Sequence, residues 1–235
     1  MSKRRTRCPH DLLRTAAEPP PAPPQITHVP GMAGQLLAEL APLLAEDGYH
    51  FDDDGVLDGP DLDDPTVFHA ALRRAIERHN LQQSTPVGAT RENACTTLQL
   101  ALQAIAIGDT CSAGGLLDGV RPVAATPAGA TVAACIGVGL GLLDDWLTAR
   151  HPDTPNGLAT RARLPDGHWL GERAATDILA LARKHRAFDA QNQLIIAHGG
   201  RNVHYGTALA LTGTLHAWAR LTGQHIGDLA PLHIT

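Results

Sequence analysis

The sequence predicts an all-α fold: one helical bundle of seven or eight helices around a central Gly/Ala-rich helix, with a tiny β-hairpin near 49–57. Three observations carry this. Hydrophobic residues make up 43% of the 235-residue chain but aromatics only 3%, so the core must be built from Ala, Leu, Ile and Val. Ala and Leu are strong helix formers, whereas strands draw on aromatic and β-branched residues. Apolar residues recur at helical spacing, and no long alternating run suggests a central sheet.

The elements follow in order. Residues 1–31 contain "EPPPAPP" and five basic residues but almost no large apolar side chains, which predicts a disordered tail. The remainder, 32–235, reads as one globular domain. "AGQLLAELAPLLAE" has helical spacing, with Pro42 as a kink and Asp47-Gly48 as its end. "DDPTVFHAALRRAIERHN" opens on Asp64 as N-cap and Pro65 as first helical residue. Leu72, Ala75, Ile76 and His79 form its apolar face, while Arg73, Arg74, Glu77 and Arg78 solvate the other. A helix over about 90–107 buries Ala94, Leu98, Ala101, Leu102 and Ile105, with Thr90 as a possible cap. "SAGGLLDGV" is a short helix or turn. From Thr126-Pro127 a helix apolar on every face runs to about Arg150, which places it at the centre. On it Ala133, Ala134, Gly137 and Gly141 form a small-residue strip able to seat a neighbouring helix. Helices over about 170–186, 189–198 and 204–222 complete the bundle.

The net charge of −5 argues against a dedicated nucleic-acid binder. The balance is uneven: Lys3, Arg4, Arg5, Arg7 and Arg14 crowd the first residues, while nine acids lie between Glu46 and Asp64. Any nucleic-acid contact is therefore a weak one through the basic N-terminal tail. Cys8, Cys95, Cys111 and Cys135 are far apart, form no CxxC pair, and fall mostly in apolar surroundings where cysteine acts as a small hydrophobe. The longest weakly polar run, 128–143, falls short of the roughly 18–20 apolar residues of a membrane span. These features predict a cytoplasmic protein without membrane contact.

Seven aspartates crowd "HFDDDGVLDGPDLDD", residues 50–64. Aligned to a Ca²⁺ loop with Gly55 at its sixth position, Asp52, Asp54 and Asp58 fall on ligand positions. His50 replaces the first ligand, Asp61 the bidentate glutamate, and Pro60 interrupts the exit. A turn followed by a helix cap accounts for the acids better. Among other metal candidates, His168 and Glu172 stand four apart with Asp177 beyond them, but no HExxH or repeated ExxH completes a set. Asp144-Asp145 in "LLDDWL" lacks the rest of a DDxxD motif and reads as a solvated helix end. No cofactor is expected.

"IIAHGGRNVHYG" is the strongest candidate binding stretch. It joins two helices and gathers His198, Gly199, Gly200, Arg201, Asn202, His204 and Tyr205. A glycine-rich turn entering a helix can offer backbone N–H groups to an anion, with Arg201 supplying charge. GxGxxG and Walker patterns are absent, and the alternative is a plain helix junction.

"STPVGATRENACTTLQLALQAIAIGD", "TVAACIGVGLGLLDDWL" and "HWLGERAATDILALARK" together resemble uncharacterised helical proteins of actinomycete genomes, often encoded on integrative mobile elements. The resemblance spans about 33–222 and carries no activity or functional residue with it. The expectation is a non-enzymatic interaction or accessory protein, of the kind a mobile element carries, acting on a protein partner or on its own copies. It rests on the incomplete catalytic sets and on the small-residue strip. The alternative is a small-anion-binding protein or enzyme using 198–205.

Overall fold

A computed structural model describes residues 32–51, 57–61, 63–122 and 128–235, with side chains of 32–37 excepted. The predicted tail, the Thr126-Pro127 helix start, Asp52 and Asp54 lie outside the described residues. Where the sequence reading draws one domain over 32–235, contacts cluster into two compact units, one within Gln25–Ser84 and one over Thr85–Thr235. Each has its own apolar core.

In the smaller unit, α1 (Met32–Ala45) and α2 (Pro65–Ser84) pack together beside a two-stranded antiparallel sheet, β1 (His50–Phe51) with β2 (Leu57–Asp58). The small hairpin is therefore present where predicted. Leu40, Leu43, Leu44 and Tyr49 bury against Ala71 and Ala75. Asp64 caps α2 as expected, accepting from the Thr66 backbone N–H at 2.9 Å and its hydroxyl at 2.6 Å. The apolar stripe of α2 is rotated from the predicted one: Ala71 and Ala75 are buried and Ile76 is exposed. Arg78, assigned to the solvated face, instead donates to the Leu43 carbonyl at 2.7 Å and the Asp47 carboxylate at 3.0 Å. Its long side chain reaches back over a helix end whose last carbonyls have no partner within the helix.

The larger unit holds α3 (Gly88–Ala106), α4 (Thr110–Gly119), α5 (Val132–Leu147), α6 (Leu158–Arg161), α7 (Glu172–Ala182), α8 (Gln191–His198), α9 (Gly200–Thr222) and α10 (Ile226–His233). The described residues thus contain ten helices; the extra ones over the prediction are short. All five predicted core residues of α3 are buried. Its predicted cap is not at Thr90: the helix starts earlier, after Val87. Helix α5 is buried almost throughout, and Thr131 caps it by accepting the Ala134 N–H at 3.1 Å. It shares the centre with α9, the longest helix, which packs against α3, α5, α6, α7, α8 and α10.

Helix α9 is buried although it carries Thr207, Thr212 and Thr214. Each hydroxyl donates to the carbonyl four residues earlier, at 2.8 Å, so none of the three is stranded. Two glycines set its approach to its neighbours. A Cβ on Gly206 would stand 2.8 Å from the Ala175 nitrogen, and one on Gly139 of α5 2.3 Å from Thr207 Cγ2. Gly139, which is not part of the predicted small-residue strip, meets α9 of the same chain, whereas a Cβ on Gly141 of the strip would meet nothing within 4 Å. Cys95 and Cys135 are free and buried in this core, as hydrophobes of their size would be; Cys111 is disulfide-bonded.

Candidate functional site

The stretch read as a glycine-rich loop is almost wholly helical. Gly199 alone breaks the chain, at φ 82° and ψ 145°, and Gly200 through Tyr205 form the first turns of α9. The positive φ explains the glycine, since a Cβ there clashes with the backbone. Asn202 turns back to donate to the His198 carbonyl at 2.8 Å, tying the ends of α8 and α9 together.

The two histidines serve different neighbours. His198 sits 2.9 Å from the Asp177 carboxylate of α7, joining α8 to α7. His204 is 2% exposed, and its Nε2 is buried without a hydrogen-bond partner. Burial holds its pKa down at about 4, against a weaker opposing pull from Asp118. The ring is therefore a neutral imidazole at physiological pH.

Arg201 is already engaged. Its Nε and Nη2 donate to the two carboxylate oxygens of Asp118 at 3.0 and 2.9 Å, a bidentate fork. The same guanidinium lies over the Tyr205 ring, 5.4 Å from its centroid. Tyr205 is buried, which pushes its pKa up to about 12, and its hydroxyl donates to the Gly114 carbonyl at 3.4 Å. An incoming anion would have to displace Asp118 before it gained Arg201. The sequence reading missed Asp118, which lies 83 residues from Arg201 and is marked by no motif.

Beside this ion pair opens a cavity of about 440 Å³. Its walls are mainly apolar, from Leu117, Val120, Val132, Ile136 and Ile195, and His204 lines it. Arg201 and Asp118 also line it but neutralise one another. A second cavity of about 460 Å³ has a different character, being lined by Arg163, Arg220 and His216 together with Asp166 and Trp169. Arg163 and Arg220 make no ion pair among the described residues.

The metal candidates do not assemble as the sequence suggested. His168 approaches Glu172 at 3.9 Å on an exposed surface, while Asp177 is paired with His198. Asp58 is exposed on β2, with Asp52 and Asp54 outside the described residues. Asp144 is not solvated: its carboxylate is 3% exposed and accepts the Ala187 and Phe188 N–H groups at 3.0 Å each. It caps the turn before α8. Burial nevertheless leaves its pKa raised, outweighing those two bonds. Asp145, the next residue, is exposed.

No helix among the described residues is long and apolar enough to cross a membrane. No protein-family model matches the chain, and neither a curated protein nor a solved structure matches it.

Proposed function

We propose that this protein binds a small, neutral, mostly apolar molecule in the cavity between α4, α5 and α9. The observation that carries the reading is a mainly apolar cavity lined by His204, whose buried Nε2 has no hydrogen-bond partner. A buried polar atom without a hydrogen bond costs about 1–3 kcal/mol, and a ligand carrying one hydroxyl, carbonyl or amide group removes that cost. Pockets of this size with few polar groups suit small organic molecules. Charge does not recommend an anion here, because Asp118 and Arg201 cancel.

The expectation of a protein partner drew on the small-residue strip of α5, where a Cβ on Gly141 would meet nothing within 4 Å; Gly139, outside that strip, accommodates Thr207 and Leu211 of α9. The anion-binding alternative moves to a different place. The Arg163–Arg220 cavity offers two guanidinium groups without an ion pair among the described residues, which the 198–205 stretch lacks, and this favours it as a second reading.

The test is a thermal-shift and ligand-observed NMR comparison using phenol, benzamide and inorganic phosphate. Phenol or benzamide is expected to bind the wild type and to lose binding in Ala133→Phe, which fills the cavity from its wall. Phosphate is expected to act through Arg220 and to be insensitive to Arg201→Ala. Equal fragment binding by wild type and Ala133→Phe, or no fragment binding at all, refutes the first reading.

A further inference from the structure

Distant from the cavity, and unused by it, His151, Asp153 and His233 bring one ligand atom each to within 4.8 Å of one another. We infer that these three residues form a binding site for a divalent transition metal ion of the zinc type. The donors come from the loop after α5 and from the last turn of α10, some 80 residues apart, so local sequence proximity does not explain their meeting.

The rings are held in place before any ion arrives. His233 is 9% exposed and stacks on Trp218 at 4.4 Å between centroids and 26° between planes. Its Nδ1 is buried and has no hydrogen-bond partner. His151 stands edge-on to both, 5.3 Å from the His233 ring and 6.0 Å from Trp218. Trp218 is itself fixed edge-on against Trp146 at 5.7 Å. Asp153 is exposed.

The donor chemistry selects the ion. Two imidazoles and one carboxylate suit zinc, cobalt or nickel, whereas magnesium and calcium prefer all-oxygen shells. Ligand atoms about 2.1 Å from a tetrahedral zinc ion stand about 3.4 Å apart. The gap therefore closes by turning the exposed carboxylate and the His151 ring, with His233 stationary on its stack. The one visible bond at stake is long: the Asp153 N–H lies 3.3 Å from His151 Nδ1. Three protein donors leave the remaining positions to water. A bound ion would tie α10 to the loop after α5.

The test uses the untagged full chain and cobalt(II), whose visible absorption bands report coordination. We expect saturation at one ion per chain, displacement by zinc, and no competition from magnesium or calcium. Losing a group that only hydrogen-bonds a metal ligand typically weakens metal sites by about 10–100-fold, so losing a ligand itself in Asp153→Asn or His151→Gln should weaken binding by more than about 100-fold. Neither change removes the His233–Trp218 stack, and Asp153→Asn, which leaves every ring contact in place, should keep the wild-type Tm without metal. Zinc should raise the Tm of the wild type and not of Asp153→Asn. His168→Gln serves as the control and should bind cobalt normally. Absence of cobalt bands, unchanged binding in Asp153→Asn and His151→Gln, or loss of binding in His168→Gln would each overturn the assignment.

Discussion

Replacing His204 with phenylalanine keeps a planar ring on α9 but deletes both ring nitrogens, and its effect on stability can be worked from the structure. His204 is 2% exposed with an unpartnered Nε2, and its pKa is held at about 4 instead of 6.5. At pH 7 the ring is neutral in both the folded and unfolded chain. There the variant should gain stability by removing a stranded polar atom, about 1 kcal/mol after imperfect packing is allowed for. In a chain of this size that corresponds to a Tm increase of about 2–4 °C. As pH falls below 6.5 the unfolded wild-type chain takes up a proton that the folded chain refuses until about pH 4. Proton uptake by the unfolded state lowers stability, at up to about 1.36 kcal/mol per pH unit. Wild type should therefore lose roughly 2.5 kcal/mol through this group by pH 4.5, while the variant loses nothing through it. Urea unfolding at pH 7 and pH 4.5, followed by tryptophan fluorescence, measures the difference. All three tryptophans, Trp146, Trp169 and Trp218, lie in the larger unit, so the signal reports the unit that contains His204. The variant should also lose the neutral fragments. If the wild-type and variant curves stay parallel on acidification, His204 is not a buried neutral imidazole and the cavity loses its polar anchor.

Asp144→Ala strips the acceptor from two buried N–H groups, Ala187 and Phe188, and should cost about 2 kcal/mol or more in a urea midpoint series. Gly206→Ala should destabilise by roughly 1–3 kcal/mol, because its methyl meets the Ala175 nitrogen at 2.8 Å and the Gly171 carbonyl at 2.9 Å. Gly141→Ala, with nothing within 4 Å, should do the reverse and stabilise by up to about 1 kcal/mol in the same assay. The exposed Arg201–Asp118 pair should contribute less than about 1 kcal/mol, read from a double-mutant cycle of Arg201→Ala and Asp118→Ala and shrinking further at high salt.

The helices were legible in the sequence because their signals are local. Asp64 before Pro65 caps α2 within two residues, and the four-and-three spacing of Ala94, Leu98, Ala101 and Ile105 is a property of one helix. The scarcity of aromatics and the paucity of alternating runs were enough to exclude a sheet core. Asp144 shows where such reading stops. Nothing near it distinguishes a solvated helix end from a buried cap, because its partners lie 43 and 44 residues on. The division into two units is hidden for the same reason: periodicity shows that a face is apolar but not which face covers it.

The candidate stretch was found by composition and changed by context. The sequence by itself determined that His198 to Tyr205 would gather at a helix junction, since Gly199 is the residue a positive φ demands. Only the tertiary structure decided what those side chains touch. Asp118 arrives from 83 residues away to occupy Arg201, and the walls of α4 and α5 bury His204 beside an apolar cavity. His151, Asp153 and His233 likewise converge only because α10 folds back on the loop after α5. Short-range sterics and hydrogen bonding set a helix and its ends, and those act between residues a few positions apart. Charge pairing, desolvation and metal coordination act through space, so they depend on which distant segments the packed core brings together.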